Sequence, residues 1–303
     1  MELSLVMRLR IAAVMALGAC VLGFCGWPLV RPTEPLGTVT LFEGGISLTG
    51  TLVCLLLAFV VGVTAYLVSI PYGRQIAPLA VPTGVSVWAI RTGDMSSLIR
   101  VNLISEQRQA LYSFLKWEGF FWLMIILAGY LGVFTVSKFI KSRPGLADVS
   151  SRKSSKANQA LSLLSAALVI IIIVQFAIVI LAQDVKMSDS RLGTVIGQPE
   201  VGQIAFAVIV SFGLAGFVVK KFLDVGYVLT TIFSAFVTLV GFVIWSRVGI
   251  LGHMAENWPV VFFPRAICAI LPIQMISFGA IGAIAGYWLA VKFKYWRKHS
   301  SSS

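Results

Sequence analysis

The chain has 303 residues, of which 58% are apolar and only 12% are charged, and its mean hydropathy is +0.93. A water-soluble domain carries about 25% charged residues, so too few polar side chains are present here to cover a water-exposed surface. Lipid is the solvent that suits such a chain, and a backbone in lipid satisfies its own hydrogen bonds by forming helices. The composition therefore predicts an all-α polytopic membrane bundle, with residues 1–303 forming a single membrane domain.

The net charge of +12 would favour nucleic acid as the partner of a soluble protein. In a membrane protein, Lys and Arg instead collect in loops that face the cytoplasm and its anionic leaflet. We therefore expect the lipid bilayer and anionic headgroups at the cytoplasmic face as partners, and no nucleic acid. The four cysteines lie in apolar stretches without a C-x-x-C pair, so neither a disulfide framework nor a zinc site is predicted.

Seven long apolar stretches stand out along the chain. A helix rises 1.5 Å per residue, so about 20 residues cross the hydrocarbon layer. Six stretches reach that length, and the fifth does so once its flanking lysines extend toward the headgroups. The stretches are Ile11–Val30, Ile46–Ile70, Trp117–Val136, Ala160–Ala182, Ile204–Val219, Val225–Trp245 and Ala266–Val291.

The first stretch has two interpretations. Arg8 and Arg10 before a short apolar run resemble a signal peptide. The run continues through Val30, however, and carries small residues at a 4-3-4-3 spacing, which predicts a retained helix with a close-packing face. That face consists of Ala12, Ala16, Ala19, Gly23 and Gly26.

Residues 71–116 differ in character from the stretches on either side. Ile76–Ile90 is apolar but short, and it contains two prolines, so it predicts a re-entrant or broken segment. Asp94 can cap a following helix. The apolar residues from there to Lys116 lie roughly on one face, which predicts an interfacial amphipathic helix on the membrane surface or packed against the protein.

Basic residues concentrate at three places: residues 137–159, Lys220–Lys221 and the tail from Lys292 onward. Alternating crossings put all three on one side, and the positive-inside rule makes that side cytoplasmic. Residues 137–159 are thus a predicted basic cytoplasmic linker, the C-terminus is cytoplasmic, and the expected location is the plasma (inner) membrane. Seven crossings divide Lys and Arg thirteen to eleven, and an eighth at Ile76–Ile90 divides them fifteen to nine. Charge favours eight crossings, segment length favours seven, and both stay open.

No stretch carries an ionisable residue in its interior, where a charge would cost about 2.5–3.5 kcal/mol and usually serves a function. Glu118, at the mouth of the third stretch, is interpreted as an interfacial anchor. His253 and Glu256 have the i, i+3 spacing of two metal ligands, but a site needs a third ligand, so no metal and no cofactor are predicted. We expect no catalytic residues, and the sequence favours a non-enzymatic role; an enzyme that acts from its loops stays open as a third hypothesis.

Polar and small residues supply the remaining candidates. Gln175 and Gln274 are the deepest polar residues, and Pro272 precedes Gln274, so these three mark a polar cavity or an interhelical contact. Two further packing faces are predicted, one of Thr231, Ser234 and Thr238, and one of Gly279, Gly282 and Gly286. The leading hypothesis is a non-catalytic scaffold, assembly or accessory subunit that binds other membrane subunits or itself. The alternative is a permease or channel for a neutral or apolar solute.

Overall fold

The computed structural model describes residues 5–32, 37–42, 46–140 and 156–300. Seven helices in this part of the chain are long and apolar enough to span a membrane, which confirms the all-α membrane bundle. The spans are Leu5–Cys25, Leu48–Val68, Ser105–Phe139, Leu161–Leu181, Val201–Leu223, Tyr227–Trp245 and Pro272–Tyr295.

The α-helices follow one another along the described chain as α1 (Leu5–Leu17), α2 (Trp27–Val30), α3 (Leu48–Val68), α4 (Gly73–Ile76), α5 (Ala80–Arg91), α6 (Met95–Val101), α7 (Ser105–Phe139), α8 (Lys156–Leu181), α9 (Val201–Leu223), α10 (Tyr227–Trp245), α11 (Val248–Asn257) and α12 (Pro272–Ser300). A π-helical stretch, Gly18–Cys25, continues α1, and 3-10 turns occupy Ala77–Leu79 and Ala266–Ala269. Strands β1 (Lys186–Asp189), β2 (Gly193–Gly197) and β3 (Phe262–Phe263) form one antiparallel sheet in that order.

The chain traverses the bundle eight times, because α3 and α7 run in the same direction. Gly62 of α3 touches the backbone of Gly129 midway along both helices. At their ends, the Tyr66 hydroxyl lies 3.5 Å from the Ile140 carbonyl oxygen. The chain between two parallel helices has to return, and residues 73–91, which form α4, a 3-10 turn and α5, carry it back.

The returning segment is short and interrupted, yet it is enclosed by protein. Gly73 lies against the Tyr66 ring at one end, and the Thr92 hydroxyl accepts a hydrogen bond from the Val39 amide at the other (2.7 Å). Most side chains of α5 are buried, against the π-helical stretch on one side and α12 on another. Irregular backbone is tolerated at membrane depth where protein surrounds it, so the prolines and the short length do not prevent a crossing.

The charged residues distinguish the two ends of the bundle. We call the end where α3, α7, α9 and α12 finish the basic end, and the opposite one the cap end. Among the described residues, eleven Lys and Arg and one Asp lie toward the basic end, whereas nine Lys and Arg and seven Asp and Glu lie toward the cap end. The excess positive charge of the described chain is therefore concentrated at the basic end.

Glycine lets the central helices approach until their backbones touch. A Cβ added to Gly286 of α12 would lie 2.0 Å from the Gly213 carbonyl oxygen of α9, and one added to Gly282 would lie 2.4 Å from that of Ile209. α9 and α12 are parallel, since the Phe217 and Phe293 rings meet toward the ends of both (6.0 Å). Gly279, Gly282 and Gly286 of the predicted face are all buried, as are Thr231, Ser234 and Thr238 on α10.

The packing face of the first helix differs from the predicted stripe. Gly23 and Gly26 are buried against Val87 and Trp88, but Ala12 and Ala16 are exposed, and Ala19 is partly so. The π-helical stretch causes the difference, because its wider turn shifts which residues share a face after Leu17. The buried row through α1 is instead Val14, Gly18 and Leu22, and a Cβ added to Gly18 would lie 1.9 Å from the Ala80 carbonyl oxygen.

Two other predicted segments differ in their bounds. The apolar stretch Ala266–Val291 is divided into the 3-10 turn Ala266–Ala269 and α12, which continues to Ser300. The predicted amphipathic helix from Asp94 to Lys116 is also divided. Asp94 caps α6, since its carboxylate accepts a hydrogen bond from the Ser97 amide (2.9 Å). The remainder is the first third of α7, which runs without a break from Ser105. Most of the predicted linker 137–159 lies outside the described residues.

Candidate functional site

Gln274 and Pro272 lie at the start of α12, at the cap end. Pro272 is the first residue of that helix, where a missing amide proton costs nothing because first-turn amides have no intrahelical partner. It therefore starts α12, which corrects the predicted break within a longer helix. Gln274 is 1% exposed and closes this turn, because its Oε1 accepts a hydrogen bond from the Leu271 amide (3.1 Å). Its Nε2 donates to the Ala89 carbonyl oxygen of α5 (3.3 Å).

Gln175 is engaged in the same way but elsewhere. Its Nε2 donates to the Val237 carbonyl oxygen (3.2 Å), which links α8 to α10. Gln274 links α12 to α5, so the two glutamines serve different helix pairs. Each amide is used in an interhelical contact, which is one of the two roles expected from the sequence, and the two side chains form no shared polar layer.

A buried carboxylate supplies the main polar cluster of the bundle. Glu118 lies in α7 and is 2% exposed. Its Oε2 accepts a hydrogen bond from the Thr40 hydroxyl (2.6 Å), its Oε1 accepts one from the Trp122 indole (2.8 Å), and the Leu41 amide donates a third. These residues form the Glu118 cluster. The exposed anchor at this level is the neighbouring Trp117, so the interpretation of Glu118 itself as an interfacial anchor is wrong.

Two of the three donors of the Glu118 cluster, Thr40 and Leu41, come from a chain segment that folds into the cap end. Residues 37–40 run beside the end of α5: the Gly93 amide donates to the Gly37 carbonyl oxygen (3.2 Å), and the Thr38 hydroxyl donates to that of Asp94 (3.2 Å). Below them, the Trp88 indole packs on Trp122 and donates to the Gly23 carbonyl oxygen in the π-helical stretch (3.0 Å). The cluster and the contacts beside it thus connect α5, α7 and the π-helical stretch to the segment before α3.

Comparisons with known proteins gave no match. No family model, no curated protein and no solved structure is similar to this chain. The residues themselves carry the functional argument.

The chemistry available to the Glu118 cluster is limited. Its donors are a hydroxyl, an indole and a backbone amide, all neutral. A general acid or base needs a reacting partner within hydrogen-bond reach, whereas both oxygens of Glu118 are already engaged by structural groups. Among the described residues, no group of three or more His, Cys, Asp or Glu could hold a metal ion. The geometry suits the cluster to joining chain segments.

A second polar cluster, at the cap end, joins the β1–β2 hairpin to α11; we call these two elements the cap. Asp189 at the end of β1 accepts hydrogen bonds on Oδ2 from His253 Nε2 (2.8 Å) and the Trp258 indole (2.7 Å). The Asn257 amide nitrogen lies 3.2 Å from His253 Nδ1 and 3.0 Å from the His253 carbonyl oxygen, so both ring nitrogens of His253 have a polar partner. Hydrogen bonds from His253 and Trp258 hold the pKa of Asp189 well below its usual range. His253 therefore binds the β1–β2 hairpin to α11, and Glu256 is absent from this set.

Sequence reasoning missed Glu118, Thr40 and Asp189 as structural centres. A signal for Glu118 exists in the sequence: a lone carboxylate flanked by apolar and aromatic residues, with the indole of Trp122 four positions later on the same helix face. No local pattern identifies Thr40 or Asp189, because their partners lie 78 and 64 residues away along the chain.

Proposed function

We propose that this membrane protein is a non-catalytic scaffold, assembly or accessory subunit of a larger membrane complex. The observation that carries the proposal is the hydrogen bonding of the two glutamines and the glutamate inside the bundle. Neighbouring helices and segments supply hydrogen-bond partners for Gln274, Gln175 and Glu118. Groups committed to holding helices together are not available to bind a solute or a substrate.

The exposed face of α1 supports a partner in the membrane. Ala12 and Ala16 lie one turn apart and are exposed, and Cys20 is exposed one turn further along. Small residues at this spacing let a second helix approach closely, and helix association in lipid depends on that approach. The bundle covers the other side of α1 through Val14 and Gly18, so this face is the one open to another helix.

The distribution of charge supports the orientation. Eight crossings divide the Lys and Arg fifteen to nine by their positions in the sequence, so the positive-inside rule assigns the basic end to the cytoplasm. The proposed location is the plasma (inner) membrane, with the C-terminal end of α12 in the cytoplasm. The cap, which contains the hairpin and α11, then faces the other compartment and offers a folded surface to a partner there.

Purification from native membranes in mild detergent tests the proposal. The expected result is a stoichiometric companion protein, or a second copy of the chain, that remains bound through size-exclusion chromatography. The double substitution Ala12→Leu with Ala16→Leu should release that companion, because the added side chains keep a partner helix at a distance. Ala285→Leu is the matched control, since Ala285 is an exposed alanine on α12.

Thiol crosslinking gives an independent readout. Cys20 and Cys25 are the exposed cysteines among the four, all of which are free thiols. In a Cys25→Ala background, a short thiol-reactive crosslinker on Cys20 should capture the companion, and the Cys20→Ala variant should capture nothing. A strictly monomeric chain with no companion in either experiment would contradict the proposal.

One observation favours the alternative, a permease for a neutral or apolar solute. The segment Gly73–Arg91 is an interrupted helix in the middle of the bundle, and interrupted helices often line the substrate sites of transporters. Flux of small neutral solutes into proteoliposomes that contain the purified chain tests this reading. Flux above that of protein-free vesicles, lost on replacing Gly84 by leucine against the Gly18 carbonyl oxygen (2.6 Å from an added Cβ), would favour the permease over the subunit.

A further inference from the structure

The basic end carries a compact group of lysines and aromatic rings where α9 and α12 finish side by side. Lys220 and Lys221 are in the last turn of α9, and Lys294 is beside them on α12. These lysines come together because α9 and α12 are parallel, pack closely and end on the same side of the bundle. We call this group, with Phe222 and Phe293, the lysine–phenylalanine corner.

The carboxylate of Asp224 forms ion pairs with two of the three lysines. Asp224 Oδ1 lies 2.9 Å from Lys220 Nζ and 3.1 Å from Lys294 Nζ. Asp224 follows α9 in the left-handed conformation (φ 54°), which turns its carboxylate back toward the helix end. Burial raises the pKa of Asp224, but hydrogen bonds and charge from Lys220 and Lys294 more than offset that and lower it. The carboxylate is therefore ionised at neutral pH and neutralises one of the three ammonium groups.

Lys221 is held differently from the other two lysines. Its ammonium lies 4.4 Å from the centre of the Phe293 ring, 5.2 Å from that of Phe222 and 5.5 Å from that of Phe217. Among the described residues, no carboxylate lies within 4 Å of it. Ring faces attract a cation without neutralising its charge, so the corner keeps two uncompensated positive charges, and Lys221 has N–H donors to offer.

Apolar surface adjoins these charges on the lipid-facing side. Phe222 is 71% exposed, Leu214, two turns before it on α9, is 50% exposed, and Phe293 is 42% exposed. An inorganic anion would use only the ammonium groups. A molecule with a phosphate beside hydrocarbon chains would use the lysines and the exposed rings together, and a phospholipid in the adjoining leaflet has both.

We propose that the lysine–phenylalanine corner binds the phosphate headgroup of an anionic phospholipid through Lys221 and Lys294, with the acyl chains against Phe222 and Leu214. The contacts with the Phe293 and Phe217 rings restrict Lys221 before the lipid arrives, which reduces the entropy lost on binding. This site is independent of the partner-binding role, because it lies at the opposite end of the bundle from the Glu118 cluster and on different helices from the exposed face of α1.

Native mass spectrometry of the purified full-length chain tests the proposal, with phosphatidylglycerol as the probe and phosphatidylcholine as the neutral reference. A basic residue near a membrane surface contributes about a fivefold gain in affinity for anionic lipid. We expect Lys221→Gln with Lys294→Gln to weaken retention of phosphatidylglycerol by about 25-fold and to leave that of phosphatidylcholine unchanged. Lys221→Arg with Lys294→Arg should restore binding.

The matched control removes the same charge from the other end. Lys186 on β1 and Arg100 on α6 are exposed basic residues at the cap end, and Lys186→Gln with Arg100→Gln should leave binding unchanged. An equal loss of phosphatidylglycerol binding in the two double variants would mean that only the net charge of the protein matters, and would contradict a specific site. Unchanged binding in Lys221→Gln with Lys294→Gln would overturn it directly.

Competition distinguishes a lipid from a free anion. Inorganic phosphate at a concentration equal to the lipid should displace little phosphatidylglycerol, and Phe222→Ser should weaken lipid binding without changing any phosphate effect. If phosphate displaces the lipid at equal concentration and Phe222→Ser has no effect, contacts with the acyl chains contribute nothing to the affinity, and the assignment of a lipid to this site is wrong.

Discussion

Two substitutions of Glu118 distinguish a carboxylate that holds hydrogen-bond donors in place from one whose negative charge is required. In Glu118→Gln, the amide oxygen can still accept from the Trp122 indole, and the amide nitrogen can donate to Thr40, because the Thr40 hydroxyl can turn to accept. In Glu118→Leu, neither oxygen remains. The hydroxyl of Thr40, the indole of Trp122 and the amide of Leu41 are then left without this acceptor inside the bundle.

The magnitudes follow from counting these donors. A buried polar group without a partner costs about 1–3 kcal/mol, although relaxation in membrane bundles brings the average for one interhelical hydrogen bond to about 0.6 kcal/mol. For three donors, Glu118→Leu should lower the free energy of unfolding by about 2–5 kcal/mol. Glu118→Gln keeps most of the contacts and should cost about 1 kcal/mol or less.

Unfolding of the purified chain in mixed micelles, by increasing the fraction of a denaturing detergent, measures both values. Tryptophan fluorescence follows the unfolding of the whole chain, because Trp122, whose indole contacts Glu118, is one of eight tryptophans. Glu106→Gln is the matched control, because Glu106 is an exposed carboxylate in the first turn of the same helix, and it should be neutral. If Gln is as damaging as Leu, the site depends on the charge or the proton of Glu118, and the structural interpretation is refuted.

Two further perturbations address the α9–α12 contact and the cap. Gly286→Leu should lower the free energy of unfolding by about 1–3 kcal/mol, because its Cβ would lie 2.0 Å from the Gly213 carbonyl oxygen; Gly202→Leu, which meets open space on α9, is the control, and equal effects would contradict the packing. Since the folded-state pKa of Asp189 is depressed, its contribution to cap stability is present above its ordinary value, about 3.9, and is lost as the pH falls below that value. The protection of the β1–β2 amides, measured as their exchange relative to the intrinsic rate at each pH, should therefore fall only in acid, and the Asp189→Asn variant should have low protection at neutral pH as well. Protection that is unaffected by both changes would contradict the role of Asp189.

The sequence was sufficient for the membrane bundle, because hydrophobic length alone identifies a span. All seven predicted stretches overlap the seven long apolar helices, including the fifth, where Lys220 and Lys221 stand at the end of α9. Segment length alone does not predict that Gly73–Arg91 crosses the bundle. The requirement of about 20 apolar residues applies to a helix surrounded by lipid, whereas α5 is surrounded by other helices.

The details of the site depended on contacts that local patterns do not encode. The predicted small-residue stripe of α1 assumes 3.6 residues per turn, whereas the π-helical stretch Gly18–Cys25 shifts the register midway. The sequence predicts Pro272 inside a longer apolar run, since apolarity does not distinguish the 3-10 turn Ala266–Ala269 from a helix. The sequence predicts an interfacial position for Glu118, because its main partner, Thr40, comes from a loop 78 residues away.

The traverse by residues 73–91 is the claim on which the orientation of every element depends, and labelling with a membrane-impermeant maleimide tests it most directly. In a chain whose native cysteines are replaced, single cysteines are placed at the exposed positions Arg8, Gly226 and Ser190 and assayed in sealed, uniformly oriented vesicles. Eight traverses predict that Arg8→Cys and Gly226→Cys react from the same side, and that Ser190→Cys in the hairpin reacts from the opposite one. Reaction of Arg8→Cys from the same side as Ser190→Cys would mean that residues 73–91 do not cross, and would contradict the account.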